Sequence, residues 1–217
     1  KSDITEYCDR LATKADGVRY VKLVVKSNYG NANYVGLSEV RFTSVPYDVN
    51  DKIIRGVKIK GVSSELSTDF KAEYLVNGYG FGINGEGTHM TPWGGSMWCA
   101  GGIAGQWVKF DLGTTYTLGS TMVWNWNCNQ YYDSTTGVRD VNILVSTDDS
   151  SYTNLGTFTL SQAASNNYAD NRQDLHTVAN NVRYVKFQVK NNHGGLYYAG
   201  LSEVRFREAT GKALDPD

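Results

Sequence analysis

One segment of this 217-residue chain occurs twice. Residues 18–42 and 182–206 are identical at 17 of 25 positions without a gap, and they lie 164 residues apart. Self-similarity at a long fixed interval is typical of tandem units. We therefore divide the chain into the C-terminal strands of a preceding, truncated repeat (residues 1–46), a linker (47–50), one complete domain (51–207) and a tail (208–217).

The truncated repeat is too short to fold by itself, because so few residues cannot bury a useful core. We predict that the two strands within residues 1–46 dock on the complete domain or on a neighbouring chain. An unpaired strand edge makes such an addition easy. Simple truncation of a tandem array is compatible with either docking mode.

The complete unit alternates apolar and polar residues with a period of two. The alternation occurs at residues 57–61, 108–112, 141–145 and 185–189. Each segment has one apolar and one largely polar face, as half-buried antiparallel strands do. Turn residues separate the segments, and no long helical periodicity occurs. The sequence therefore predicts an all-β fold, an antiparallel β-sandwich or jelly roll.

Charge and hydropathy exclude several classes of partner. The formal net charge is -1 and no block of like charges occurs, so we predict no nucleic-acid partner. No apolar run approaches the ~20 residues of a membrane helix, and we expect no membrane partner. The polar residues Lys1, Ser2 and Asp3 also predict that no signal peptide is present.

The three cysteines, Cys8, Cys99 and Cys128, lack the spacing of metal ligands. Cys99 and Cys128 could form a disulfide if their loops meet, which would leave Cys8 free. The odd number of cysteines argues against a fold built on disulfides.

Several sequence elements follow one another as they do in a discoidin domain. In chain order they are residues 61–65, 72–78, 97–98, 106–113, 145–149 and 200–206. The discoidin family includes the coagulation-factor C-type modules and the family-32 carbohydrate-binding modules. Residues 123–127 and 200–206 resemble the versions attached to large secreted polysaccharide-degrading enzymes. The resemblance implies a galactose-binding-domain-like jelly roll and a secreted, extracellular or cell-surface location.

The resemblance also implies a structural calcium ion. Carried over by position, Asn77 offers its side-chain oxygen, Glu203 its carboxylate, and Tyr74 and Ser202 their backbone carbonyls. Asn77 stands where the family has an aspartate, and the missing negative charge should weaken the site. The alternative is a calcium-free packing in which Glu203 caps a loop.

Loops rich in aromatic and amide residues are typical of a saccharide site, because a ring covers the apolar face of a sugar while polar groups bind its hydroxyls. In the discoidin-like sugar modules that site lies on loops at one end of the sandwich. Our candidate carbohydrate-binding residues are His89, Trp93, Asn127, Asn129, Tyr131, Tyr132, Arg139, His193 and Tyr197. We interpret Trp98, Trp107 and Trp124 as buried.

No histidine pair or nucleophile signature indicates catalysis, and Asp111 and Asp140 have ordinary positions in strands. We therefore predict a non-catalytic protein that binds a polysaccharide or glycan, as a module of a larger secreted polysaccharide-acting or cell-surface protein. The alternative is a structural or adhesive module of an extracellular assembly, which self-associates through strand addition by residues 1–46. Phospholipid binding would require protruding apolar loop tips, which loops rich in asparagine and glycine do not predict.

Overall fold

The computed structural model describes residues 21–37, 52–81, 89, 95–128, 133–165 and 171–209. The chain divides into two compact units, residues 1–46 and 47–217. Of the first unit only residues 21–37 are described, and no strand or helix occurs among them. The docking of residues 1–46, the linker and the tail fall largely outside the described ranges and stay predictions.

The described part of the second unit contains nine strands and two short 3-10 helices. The strands are β1 (Lys52–Ile53), β2 (Lys58–Val62), β3 (Trp98–Ala100), β4 (Trp107–Asn125), β5 (Asp140–Ser146), β6 (Thr153–Thr159), β7 (Arg172–Leu175), β8 (Ala179–Val189) and β9 (Ala199–Glu208). The 3-10 helices span Ala72–Val76 and Ser134–Thr136. The named strands pair antiparallel throughout, which confirms the all-β prediction.

Strand β4 belongs to both layers of the sandwich. Its first part, residues 107–111, pairs with β2 and β8, and β8 leads on to β5 and β6. Its last part, residues 118–125, pairs with β9 and β7, and β9 also pairs with β1 and β3. We call these the front and back layers. Pairing with β8 continues at Tyr116 and Leu118 after a register shift, and pairing with β9 begins at Leu118, so the strand changes layer near Leu118.

The core lies between the two layers. The ring centroid of Phe110 in the front layer lies 5.4 Å from that of Phe187 and 5.2 Å from that of Phe206 in the back layer. All three rings are completely buried. Alternate residues of 108–112, 141–145 and 185–189 are buried, so the predicted sandwich is confirmed.

The outer face of the back layer is covered by the chain. Met122 and Trp124 point away from the central core and pack with Phe81. The rings of Phe81 and Trp124 meet edge to face at 4.8 Å, and the Arg205 guanidinium lies 4.5 Å from the Phe81 ring centroid. No helix among the described residues has the length and apolarity needed to cross a membrane.

One tryptophan prediction is wrong. Trp98 and Trp124 are completely buried, as expected, but Trp107 is only half-buried. Its neighbour Val108 points into the core, and successive side chains of a strand point to opposite faces. Trp107 therefore lies on the outer face of the front layer.

Cys99 and Cys128 lie in one buried cluster with Phe70, Met97 and Trp126. Their loops do meet, but both cysteines are thiols and no disulfide joins them. Burial raises the pKa of Cys99 to about 12, with a smaller contribution from Cys128. Cys8 lies outside the described residues.

Gly200 lies where Trp98 and Trp126 leave no room for a side chain. A Cβ at this position would lie 2.4 Å from Cε3 of Trp126 and 2.8 Å from the backbone oxygen of Trp98. We expect Gly200→Ala to lower the free energy of unfolding by about 3 kcal/mol, the upper end for overpacking, measured by urea denaturation. Gly101→Ala is the control, since its closest contact would be 3.6 Å from Ser64 Oγ. Equal losses in both variants would contradict this account.

Candidate functional site

Two loops that contain predicted contact residues, Arg139 in one and His193 and Tyr197 in the other, join at one end of the sandwich. The His193 N–H donates to the Gly137 carbonyl at 3.0 Å, and the Gly195 N–H donates to the Thr135 carbonyl at 3.1 Å. Residues 133–139 and 190–198 thus form one continuous edge, which we call the rim.

Residues 95–98 end at the same end of the sandwich. Residues 95–98 lead into β3, which pairs with the start of β9, so that Trp98 lies opposite Leu201. A backbone bridge joins Gly137 of the rim to Gly200 of β9. Residues 95–98 and the rim are therefore neighbours in the fold, through β9.

A single asparagine shapes the tip of the rim. Asn192 Nδ2 donates to the carbonyls of Gly195 at 2.8 Å and Tyr198 at 2.7 Å. Its Oδ1 accepts a hydrogen bond from the Gly194 N–H at 3.0 Å. Asparagine stabilises turns in this way by bonding to nearby backbone groups.

The same brace occurs in the first copy of the repeat. Asn28 Nδ2 donates to the carbonyls of Asn31 at 2.5 Å and Tyr34 at 2.9 Å, and its Oδ1 accepts from the Gly30 N–H at 3.0 Å. Each bond has its counterpart 164 residues later along the chain. The loop conformation therefore follows from the local sequence and does not require the particular side chains at the tip.

The rim presents an exposed apolar tip. Leu196 and Tyr197 are 79% and 69% exposed, and the Tyr197 ring centroid lies 6.0 Å from that of Tyr198. Tyr197 is one of the ligand contacts predicted from the sequence, whereas Leu196 is not. Leu196 directly follows Gly194 and Gly195 in a loop tip that cannot bury it, and this position could have indicated that its side chain is exposed.

Two further predicted residues flank this tip. The Arg139 side chain is 57% exposed and its Nε lies 3.9 Å from Asp140 Oδ2. His193 is half-buried. Burial lowers the pKa of His193 below its usual value of 6.5, and the charge of Arg139 acts in the same direction, while the Leu160 backbone and Asp140 oppose it. His193 is therefore mainly neutral at pH 7, and its Nε2 atom is buried without a hydrogen-bond partner among the described residues, so this side of the ring supports the rim from inside and does not face solvent.

The structure puts two predicted contact residues inside the protein. His89 and Asn127 are completely buried. Asn127 Nδ2 donates to the His89 carbonyl at 2.5 Å, and the Asn127 N–H donates to Ser202 Oγ at 3.2 Å. These two side chains hold loops together and cannot touch a saccharide from solvent. Trp93, Asn129, Tyr131 and Tyr132 lie outside the described residues, so their assignment stays a prediction.

A small polar cavity lies at the opposite end of the sandwich. It is lined by Thr147, Ser151, Asn180 and Asn181, among others, and by no aromatic side chain. A saccharide site normally includes a ring that covers the apolar face of the sugar. The rim is therefore the better candidate.

The comparisons with known proteins agree with this fold. The sequence profile of the F5/8 type C domain matches residues 58–204. The chain belongs to the F5/8 type C domain family. A comparison with curated proteins found no match.

Solved structures share the fold of this F5/8 type C domain at low identity. The C-terminal domain of a chitobiase from Bacteroides fragilis is 13% identical, with a TM-score of 0.54 over 75% of this chain and 100% of that chain. The Clostridium perfringens module CpGH89CBM32-5, in complex with GalNAc-β-1,3-galactose, is 12% identical, with a TM-score of 0.51 over 72% and 98%. The family-32 module of C. perfringens NanJ, in complex with galactose, is 13% identical, with a TM-score of 0.51 over 73% and 98%.

Glu203 and Asn77, two of the residues that the resemblance assigns to calcium, lie close together. The Glu203 carboxylate is buried. It accepts hydrogen bonds from the Gly78 N–H and from Arg205 Nε, both at 3.3 Å. Asn77, next to Gly78, therefore lies beside Glu203, and its Oδ1 accepts from the Tyr79 N–H at 2.8 Å.

Calcium prefers carboxylate, amide and carbonyl oxygens, and this set of residues fits that preference in donor type. It contains a single carboxylate, which Arg205 already neutralises. Among the described residues, no group of three or more His, Cys, Asp or Glu side chains could hold a metal ion. The residues thus fit calcium only as a weak site.

The lowered pKa of His193 makes stability depend on pH. The unfolded chain takes up a proton as the pH falls below about 6.5, whereas the folded protein resists it, so stability falls from pH 7 to pH 5. We expect His193→Gln to lose less stability than the wild type over this range, measured by urea denaturation. His89 and His176 are present in both proteins and provide the internal control. Identical pH dependence in the two proteins would contradict the burial argument.

Proposed function

We propose that this F5/8 type C domain is a non-catalytic carbohydrate-binding module and that a saccharide binds at the rim. The observation that carries the proposal is the joined loop pair, residues 133–139 and 190–198, which holds the exposed ring of Tyr197 and the half-exposed guanidinium of Arg139 at one end. An aromatic face and a guanidinium suit a sugar that has one apolar face and a border of hydroxyl groups.

The comparisons support a galactose-type ligand. The NanJ module contains bound galactose, and CpGH89CBM32-5 contains a disaccharide of GalNAc and galactose. We expect this chain to bind terminal galactose or GalNAc. One sugar buries little area, so the Kd should lie roughly between millimolar and micromolar. We propose that the chain acts within a larger extracellular protein that carries further binding units, and avidity would then raise the overall affinity.

The acidic residues support a role without catalysis. A glycosidase needs one carboxyl group with a raised pKa as general acid. The pKa values of Asp111, Asp140, Asp148 and Asp149 are all lowered. Arg183 hydrogen-bonds to Asp111, Thr159 and Asn191 hydrogen-bond to Asp140, backbone and serine groups to Asp148, and Lys109 and Tyr152 to Asp149. None of these four aspartates is suited to donate a proton near neutral pH.

The exposed tyrosine of the rim provides the direct test. We expect Tyr197→Ala to weaken galactose binding about tenfold, since the sugar would lose its aromatic platform. Isothermal titration calorimetry with galactose and N-acetylgalactosamine measures the change. Tyr79→Ala is the matched control, because Tyr79 is 65% exposed and belongs to the loop beside Glu203 of the back layer.

Three results would overturn the proposed rim site. The first is unchanged sugar binding in both Tyr197→Ala and Arg139→Ala. The second is the absence of binding to any galactose- or GalNAc-terminated glycan. The third is binding of the Leu196 and Tyr197 tip to phosphatidylserine vesicles in place of glycans, since an apolar tip beside a basic residue also suits a lipid surface.

We further propose that Ca²⁺ binds weakly beside Glu203. The melting temperature should rise by about 2–4 °C at millimolar calcium, because the ion binds only the folded state. Asn77→Asp adds a second carboxylate and can still accept the Tyr79 N–H, so it should enlarge the rise. Glu203→Gln should abolish it. A melting temperature that is independent of calcium in the wild type and in Asn77→Asp would reject the ion.

A further inference from the structure

The outer face of the front layer carries a tryptophan among lysines. Strand register aligns Trp107 of β4 with Gln188 of β8, and Lys109 with Lys186. Gly61 of β2 lies beside Lys109. Partners directly opposite each other in an antiparallel pair share a face. Since Val108 points into the core, these five residues lie together on the outside.

The indole of Trp107 extends over the neighbouring strand β2 at Gly61, which has no side chain. A Cβ on Gly61 would lie 3.5 Å from Cζ3 and 3.6 Å from Cη2 of the indole. The Lys186 ammonium lies 4.9 Å from the centroid of the ring, and the Lys109 ammonium lies 5.9 Å from it. The half-buried ring is therefore supported by the sheet and has two cations beside it.

Five cations, Lys58, Lys60, Lys109, Arg183 and Lys186, share this face with two acidic residues, Asp111 and Asp149, which also attract Lys60, so a net positive charge is left. Lys109 pairs with Asp149 at 2.6 Å, and Arg183 pairs with Asp111 at 3.1 Å. Within the described ranges, Lys58, Lys60 and Lys186 have no acidic group at ion-pair distance. The Lys60 ammonium lies 5.9 Å from the Tyr184 ring centroid.

We propose that this face is a second carbohydrate site, which binds an acidic polysaccharide such as a polyuronate. The indole would cover the apolar face of one sugar ring, and the ammonium groups beside it would pair with carboxylates. The amides of Gln188 and Asn142, which follow Trp107 across the sheet, would bind hydroxyls. A row of three strands spans about 10 Å, which suits internal units of a chain.

A single-stranded nucleic acid fits this face less well, although it is also a polyanion. Such ligands need several stacking rings along a groove. Here one indole and neutral amides lie on an open sheet face, and the whole chain has a formal net charge of -1. The acidic polysaccharide is therefore the ligand that the face favours.

Calorimetry with sodium polygalacturonate at low salt tests the proposal. We expect binding that weakens steeply with added salt, a loss of at least fivefold in Lys186→Gln, and a loss of at least tenfold in Trp107→Ala. Lys71→Gln, which removes one charge before the 3-10 helix that packs on β9, is the matched control and should bind normally. Lys60→Gln provides a second surface variant if Trp107→Ala does not fold.

The rim variant separates this site from the proposed galactose site. Tyr197→Ala should lose galactose and keep polygalacturonate, while Lys186→Gln should do the reverse. The proposal is overturned if polygalacturonate does not bind, or if it binds Lys186→Gln and Lys60→Gln as tightly as the wild type. Tighter binding of a deoxythymidine oligonucleotide than of polygalacturonate would also overturn it.

Discussion

The structure depends on one strand that belongs to two sheets. Strand β4 pairs with β2 and β8 in its first part and with β9 and β7 in its last part. Because one continuous strand pairs with both layers, it fixes the strands of the two layers relative to each other. The starts of β5 and β9 are consequently held at one end, where they support the rim. The outer faces also differ: Phe81 covers the back layer at Trp124, whereas Trp107 leaves the front layer with a half-exposed ring.

The rim shows how such a scaffold can vary its ligand without changing its shape. Asn192 and Gly194 hold the loop in the second copy, as Asn28 and Gly30 do in the first. The bonds involve one side chain and the backbone, so the intervening positions are not constrained by them. At those positions the copies differ, with His193, Leu196 and Tyr197 replacing Tyr29, Ala32 and Asn33. A loop that folds from two residues can present different chemistry at its tip.

The fold was predictable from the sequence because it rests on a local pattern. Alternation at residues 108–112 and 185–189 fixes which side chains face the core, and the structure agrees at each of these residues. The same rule, applied to Trp107, would have put it on the outside, since Val108 begins the buried set. The prediction that Trp107 is buried followed the general preference of tryptophan for burial instead of the strand register, and it is wrong.

The candidate site was less predictable because exposure depends on contacts far apart in the chain. Asn127 and His89 are residue types that are typical of a ligand site. Asn127, however, donates a hydrogen bond to the His89 carbonyl, and both side chains are buried. No local pattern reveals a contact between residues so distant in sequence. Tyr197 is exposed at a braced loop tip, as a ligand contact must be, and its role in binding stays a prediction. The pairing of Arg205 with Glu203 was not predicted, although alternate residues of one strand share a face.

The two proposed ligand chemistries share one strand. Outward residues of β8 alternate along Tyr184, Lys186 and Gln188, and the strand then continues directly into the rim at residues 190–198. Alternate residues of a strand lie about 7 Å apart, so the cationic face and the rim are neighbours rather than separate surfaces. A glycan chain with acidic internal units and a neutral terminal sugar could then bind both at once. Its uronates would lie along the front layer, its last sugar would lie against Tyr197, and each contact would raise the effective concentration of the other.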